Sequence, residues 1–272
     1  MRISGATVAA MRVQIVGGGK MGEALLAGLL DTHWASVDEL VVVEPIEARR
    51  GELADRFANV VVREHVVEAV DAIIAVKPDH VEAACRSLAS ADVSRVLSIA
   101  AGVTIARLER YLGNDAAVIR AMPNTPSMVS QGAAAIACGS RATAADQAWA
   151  QSILSAVGTV EVVEEALLDA VTGLSGSGPA YVFLLAEALI EAGVQVGLPA
   201  DVSARLTEQT LLGAATLLSI STESADVLRR NVTSPNGTTA AGLAVFDAAD
   251  FRGLVARVVA AATARSRDLG AG

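Results

Sequence analysis

Two stretches of this 272-residue chain place small and hydroxylated residues at spacings that could do chemistry. Gly17-Gly18-Gly19-Lys20-Met21-Gly22 fits G-x-G-x-x-G. In that pattern Gly17 permits a sharp turn, Gly19 lets a phosphate approach the backbone, and Gly22 lets the following helix pack close on the preceding strand. N–H groups left unpaired at the helix start would face a pyrophosphate, with the positive end of the helix dipole behind them. The second stretch, Val232-Thr233-Ser234-Pro235-Asn236-Gly237-Thr238-Thr239, is a polar loop feeding a helix. Its hydroxyls and free N–H groups suit a carboxylate. Taken alone, each stretch also reads as turn residues and a helix cap.

The surrounding pattern decides for the first stretch. Val13 to Val16 reads as a short strand, and from Glu23 a helix follows with apolar residues at 25, 26, 29 and 30. Further strands are expected at 39–43, 60–62, 71–76, 96–100 and 117–121, separated by helical stretches, the pattern of a doubly wound α/β sheet. A last pair, 133–138 and 159–163, flanks a helix over 144–157. After Glu164 the β-pattern stops. Ala-rich helices are expected over 165–174, 179–196, 200–220, 224–231, 239–247 and 251–269, with Ser175-Gly176-Ser177-Gly178-Pro179 interrupting an apolar run. The domain boundary is therefore set near Glu164, giving a dinucleotide-binding domain over 11–163 and an all-helical one over 164–272.

Ligands of such sheets lie beyond the carboxyl ends of the strands. Glu44, at the end of the second strand, suits the ribose hydroxyls of NAD, whereas Arg49 and Arg50 close behind it suit the 2′-phosphate of NADP. Cofactor choice thus stays open between NADPH and NADH. Lys77, Pro78, Gly102 and Asn124 also fall at strand ends, where the plainer reading is turn punctuation and, for Asn124, an Asx-turn.

Composition narrows the class. With 53% hydrophobic but only 3% aromatic residues, the core must be built from Ala, Val and Leu. The positive mean hydropathy points to apolar surface buried between subunits. The longest uncharged stretch, 170–186, contains Gly173, Gly176, Gly178 and Pro179, so a soluble chain without a membrane span is expected. A net charge of −9 argues against nucleic acid. Cys85 and Cys138 lie far apart without Cys/His ligand spacing, which implies no disulfide, no metal site and a reducing cytoplasm. Met1 to Ala10 has no signal-peptide core and reads as a disordered extension before a start at Met11.

Six segments in order then carry a resemblance: GGGKMGEAL at 17–25, AVKP at 75–78, SIAAGVTI at 98–105, RAMPNTP at 120–126, DAVTGLSGSGPAYVF at 169–183 and VTSPNGTTAAGL at 232–243. From about Met11 to Leu269 the chain resembles the pyrroline-5-carboxylate reductase family. The resemblance implies NAD(P)H-dependent reduction of 1-pyrroline-5-carboxylate to L-proline, the closing step of proline biosynthesis. It also implies a Rossmann-type N-terminal domain and a helical C-terminal dimerisation domain that interlocks with a second subunit, the dimers joining into rings. By position it implies that Val16, Gly17, Gly18, Gly19, Lys20 and Met21 cradle the pyrophosphate. Ala75, Val76, Lys77, Pro78, Ile99, Ala100 and Ala101 would border the ribose and nicotinamide, with Asn231 near the cofactor. Glu165, Ser234, Gly237, Thr238 and Thr239 would contact substrate, Thr239 as the catalytic hydroxyl at the ring nitrogen and Ser234 with nearby N–H groups at the carboxylate. Asn236 stands where the pattern has Gly, a substitution that tolerates positive φ, and 60–70 lacks the family's Asn-containing pattern.

The residue inventory suits imine chemistry. Lys20 and Lys77 are the only lysines and precede the helical half, which therefore holds no lysine to take an alcohol proton. His33, His65 and His80 lie outside every motif and read as surface or packing residues. A protonated imine is already electrophilic, so hydride arrival neutralises charge instead of building an oxyanion. A reductase of a related cyclic imine and a redox sensor without turnover are the alternatives, and the Ser234 to Thr239 loop argues against the sensor.

Overall fold

The computed structural model describes residues 11–68, 71–113 and 115–271. The expected extension at 1–10 and the end of the 60–70 segment lie outside them. Eight strands, β1 (Val13–Val16), β2 (Leu40–Val43), β3 (Val61–Arg63), β4 (Asp71–Ile74), β5 (Arg95–Ser98), β6 (Ala117–Met122), β7 (Gly132–Cys138) and β8 (Gly158–Val162), form one sheet in the order β3-β2-β1-β4-β5-β6-β7-β8. The strands from β3 to β6 run parallel, β7 is antiparallel to β6, and β8 is parallel to β7. From β1 the chain builds outward to β3 and returns to β4 on the other side of β1, the kind of reversal at which open sheets hold their ligands.

Helices α1 (Lys20–Asp31), α2 (Glu47–Arg56), α3 (Val81–Ser90), α4 (Ile105–Leu112) and α5 (Ala144–Ser155) cover the sheet. One core joins Leu25, Leu29, Leu53 and Ile153 to Val13, Ile15 and Ile73; the other joins Leu88 and Leu108 to Ile74, Val96 and Val118. Strands buried on both faces must be apolar at nearly every position. Gln14 is the polar exception on β1, and its amide is satisfied by both backbone groups of Val67, at 3.0 and 3.3 Å. Cys85 sits in the second core, where burial pushes its thiol up to about 12 and keeps it inert.

The helical part comprises α6 (Leu168–Val171), a π-helical turn at Thr172–Gly176, α7 (Gly178–Gln195), α8 (Ala200–Ile220), α9 (Ala225–Asn231), α10 (Thr238–Ala248) and α11 (Phe251–Ala271). Two compact units result, one ending at Ser177 but including the last turns from Ala262, the other spanning Gly178–Ala261. Within the second, α7 packs on α8, and the Ser203 hydroxyl donates to the Ile190 carbonyl at 2.8 Å.

The expected interruption at 175–179 is corrected: helical backbone runs through it. Pro179 has no N–H for the Ser175 carbonyl, and the Asn124 side-chain amide donates there instead, at 3.0 Å. The same side chain accepts from Ala133 N–H at 2.8 Å, so buried Asn124 pins the start of β7 to the π turn. Its place in the sequence suggested a strand-end ligand contact; its bonds are those of a clamp. Because the glycines and Pro179 leave the helix intact, 165–195 becomes one run long and apolar enough to cross a membrane, of whose apolar window only 6% is buried in the single chain.

Asn124→Ala strands one donor and one acceptor, each costing about 1–3 kcal/mol. Urea unfolding is expected to show a loss of about 2 kcal/mol or more, with cofactor affinity per folded molecule unaltered.

Candidate active site

The glycine turn is built by exclusion. Gly17 has φ +112°, and a Cβ on it would lie 2.6 Å from the Ala75 carbonyl oxygen; a Cβ on Gly22 would collide with the carbonyl of Gly17. Only glycine at both positions lets β1, α1 and the end of β4 come together. Gly19 caps α1 without a side-chain acceptor, and nothing occupies the space a Cβ would take. Lys20 is exposed and Met21 half-buried beside it. This open, N–H-lined cradle fits a pyrophosphate.

Around the cradle, Ala75 N–H donates to Val16 and Ile99 N–H to Ile74, at 2.8 and 3.0 Å, which sets Ala75 to Pro78 beside Ile99 to Ala101 at the ends of neighbouring strands β4 and β5. A cleft of about 610 Å³ is lined by Val16, Val43, Pro45, Val76, His65 and His80, among others. It follows the ends of β1, β2 and β4. His33 is elsewhere on the surface, and all three histidines are exposed.

Glu44 is buried, and its carboxylate accepts from Gly18 N–H and Ile46 N–H, both at 3.0 Å. It braces the glycine turn from below. Arg50 donates to the carbonyls of Glu44 and Pro45, at 3.0 and 2.7 Å. Arg49 donates to the Gly18 carbonyl at 2.7 Å and pairs with Glu23 and Glu52.

Glu165 is engaged within the sheet-containing unit. Its Oε1 accepts from Ile105 N–H at 2.7 Å and from buried Arg120 at 3.0 Å. Arg120 was missed by the sequence reading, although a cation between Ile119 and Ala121 on a buried strand is a signal that a partner must reach it.

In the helical unit the loop between α9 and α10 closes as a turn, Gly237 N–H donating to the Ser234 carbonyl at 3.1 Å, with Asn236 at φ +58° as its side chain permits. A Cβ on Gly237 would strike the Ser234 hydroxyl, so glycine is what lets that hydroxyl sit at the helix cap. Gly237 is the N-cap of α10, and exposed Thr238 and Thr239 form its first turn. Asn231 is exposed, its amide donating to Glu223 at 3.0 Å.

Residues 165–269 match the family model described as pyrroline-5-carboxylate reductase dimerisation, and residues 12–102 match that of NADP oxidoreductase coenzyme F420-dependent. The chain is similar to pyrroline-5-carboxylate reductase of a Synechocystis species, 43% identical and covering 96% of this chain and 98% of the relative. A solved pyrroline-5-carboxylate reductase from Coxiella burnetii superposes with a TM-score of 0.90 at 33% identity, covering 96% of this chain and 98% of its own. The Plasmodium falciparum pyrroline carboxylate reductase with NADP bound does so at 0.83 and 27%, over 96% and 98%.

The middle and last glycines of the motif separate folding from binding. Gly22→Ala is expected to lower both Tm and NADH affinity, because its methyl group meets backbone. Gly19→Ala is expected to cost Tm no more than a few degrees yet weaken NADH by about tenfold or more, the methyl group filling space the phosphate needs. Thermal melts and fluorescence titration of both variants measure this.

Proposed function

This chain belongs to the pyrroline-5-carboxylate reductase family, and we propose that its two parts divide one hydride transfer between them. It is an NAD(P)H-dependent oxidoreductase that reduces the C=N bond of 1-pyrroline-5-carboxylate to give L-proline, the last step of proline biosynthesis. Residues 11–163 form the cofactor domain and 164–272 the substrate-binding and dimerisation domain, a division supported by the dimerisation match beginning at 165. Packing groups 164–177 and the end of α11 with the sheet, which concerns stability more than chemistry. The observation that carries this division of labour is the α10 start, where Gly237, two threonine hydroxyls and the first-turn N–H groups coincide.

Val16 to Met21 hold the cofactor pyrophosphate, Ala75 to Pro78 and Ile99 to Ala101 border its nicotinamide and ribose, Glu44 meets the adenosine ribose, and Asn231 lies near the cofactor. NAD(P)H, when bound, supplies the hydride. Ser234, Gly237 and Thr238 hold the substrate carboxylate, and the Thr239 hydroxyl hydrogen-bonds the ring nitrogen, orienting the C=N bond and keeping its proton in place. No strong acid is needed, because the iminium nitrogen loses charge as the carbon gains hydride. Positioning of this kind is worth roughly 7–11 kcal/mol. Glu165 borders the substrate in an orientation set by Arg120, whose charge 3.0 Å away cancels most of the field an iminium would feel.

The chain is a homo-oligomer acting on a small molecule. Leu184, Leu212 and Val245 expose 65%, 61% and 70% of their surface in one protomer, more apolar area than a solitary chain keeps in water. We assign this surface to interlocked helical domains of a dimer, with rings of dimers beyond it, in the cytoplasm and without membrane or nucleic-acid partners. The purified protein is expected to elute at twice 27.7 kDa or a higher even multiple, and elution as a monomer would contradict this.

Purified enzyme is expected to consume NADH or NADPH only when 1-pyrroline-5-carboxylate is present, and far more slowly with the six-membered homologue. Thr239→Ala should lower kcat/KM by about 10- to 10⁴-fold, as removal of a proton-positioning group does. Unchanged kinetics would take Thr239 out of the mechanism.

A further inference from the structure

The two arginines behind β2 are committed to acceptors of the chain itself. Arg49 spends Nε on the Gly18 carbonyl at 2.7 Å, Nη1 on Glu52 at 2.7 Å and Nη2 on Glu23. Glu23 exposes 12% of its side chain, lies in the first turn of α1, and pairs through its other oxygen with Arg56. Arg50 spends Nη1 on the Glu44 and Pro45 carbonyls, and its Nη2 lies 3.8 Å from Glu64. On the opposite side of Gly18, at the end of β2 where the ribose of a bound dinucleotide is read, lies the buried Glu44 carboxylate, and Glu64 lines the cleft beside Pro45. A 2′-phosphate, carrying about −1.5 to −2 charges, would approach two carboxylates and would have to compete with Glu23 and Glu52 for the nearest cation. A 2′-hydroxyl meets no such cost. It can donate to Glu44.

Resting on the cofactor assignment above, we infer that Glu23 is a specificity-determining residue for the adenosine end: it holds Arg49 away from a 2′-phosphate and, together with Glu44, sets the enzyme to take NADH in preference to NADPH. Glu23 acts through Arg49 and touches no ligand, so it is a positioning residue. The pairing of Arg49 with Glu52 and Glu23 also raises its proton affinity, in keeping with a cation that is fully engaged.

The experiment measures binding of NADH and NADPH to the full-length enzyme without substrate, by the fluorescence of the bound nicotinamide, beside kcat/KM for each. Wild type is expected to bind NADH about tenfold tighter or more, the scale of one hydrogen bond to a charged group. Glu23→Gln should narrow that ratio about threefold or more by tightening NADPH, and adding Arg49→Ala should abolish the gain, as a coupled pair requires. Glu44→Gln removes the charge and keeps one acceptor, for Gly18 N–H, at the loss of the bond from Ile46 N–H, and it should narrow the ratio as well. Equal or tighter NADPH binding by wild type overturns the inference. So does a Glu23→Gln variant that weakens both cofactors alike, since that is the mark of a structural role alone. Preferential NADH binding with no turnover of 1-pyrroline-5-carboxylate would sink the assigned reaction and leave the inference standing.

Discussion

The structure depends on the clearance between three backbone segments: the end of β1, the first turn of α1 and the residue after β4. Gly17 sits against the Ala75 carbonyl and Gly22 against the carbonyl of Gly17, distances that no side chain survives. From this contact follows the approach of α1 to the sheet, which brings Leu25 and Leu29 into the core with Val13 and Ile15. The open cradle at Gly19 follows too, since α1 can start there only if the turn closes behind it. Packing and ligand geometry are set by the same few ångströms.

Charged groups in the sheet-containing unit mostly position backbone. Glu44 receives Gly18 and Ile46, and Glu165 receives Ile105 while holding Arg120. Arg95 clasps buried Asp71 through two bonds of 2.7 and 2.8 Å, joining the starts of β4 and β5. Buried pairs of this kind add little net stability over apolar packing, but breaking one partner leaves an uncompensated charge, so they fix geometry firmly. That is what hydride transfer asks of a protein whose substrate already carries the reactive charge. The selectivity of the adenosine end has the same origin: a cation is decisive only when its own neighbours leave it free.

The helical unit obeys a different constraint. Its helices keep apolar side chains on surfaces that one protomer does not cover, and the run from 165 to 195 is apolar enough to resemble a membrane span by composition alone. Small residues and few aromatics let such helices pack closely, so a second copy of the chain is the natural cover. Stability measured on a homo-oligomer of this kind depends on protomer concentration.

By itself the sequence determined whatever depends on neighbours a few residues apart. The glycine spacing at 17, 19 and 22, the alternation of apolar strands with helices, the end of the β-pattern after Glu164 and the order of the six family segments are all local, and local sterics and periodicity settle them. Tertiary structure decided the partners. Glu44 finds Gly18 across 26 residues, Arg120 finds Glu165 across 45, and Asn124 finds the Ser175 carbonyl across 51. The last contact explains why glycines and a proline that signal a break stand inside a continuous helix: the missing N–H is replaced from another element, and no local pattern records which one. Arg49 by its place in the sequence suits a 2′-phosphate, but Glu23, 26 residues before it on α1, holds it. Residue type states what a side chain can bond; only the packed chain states what remains for it to bond.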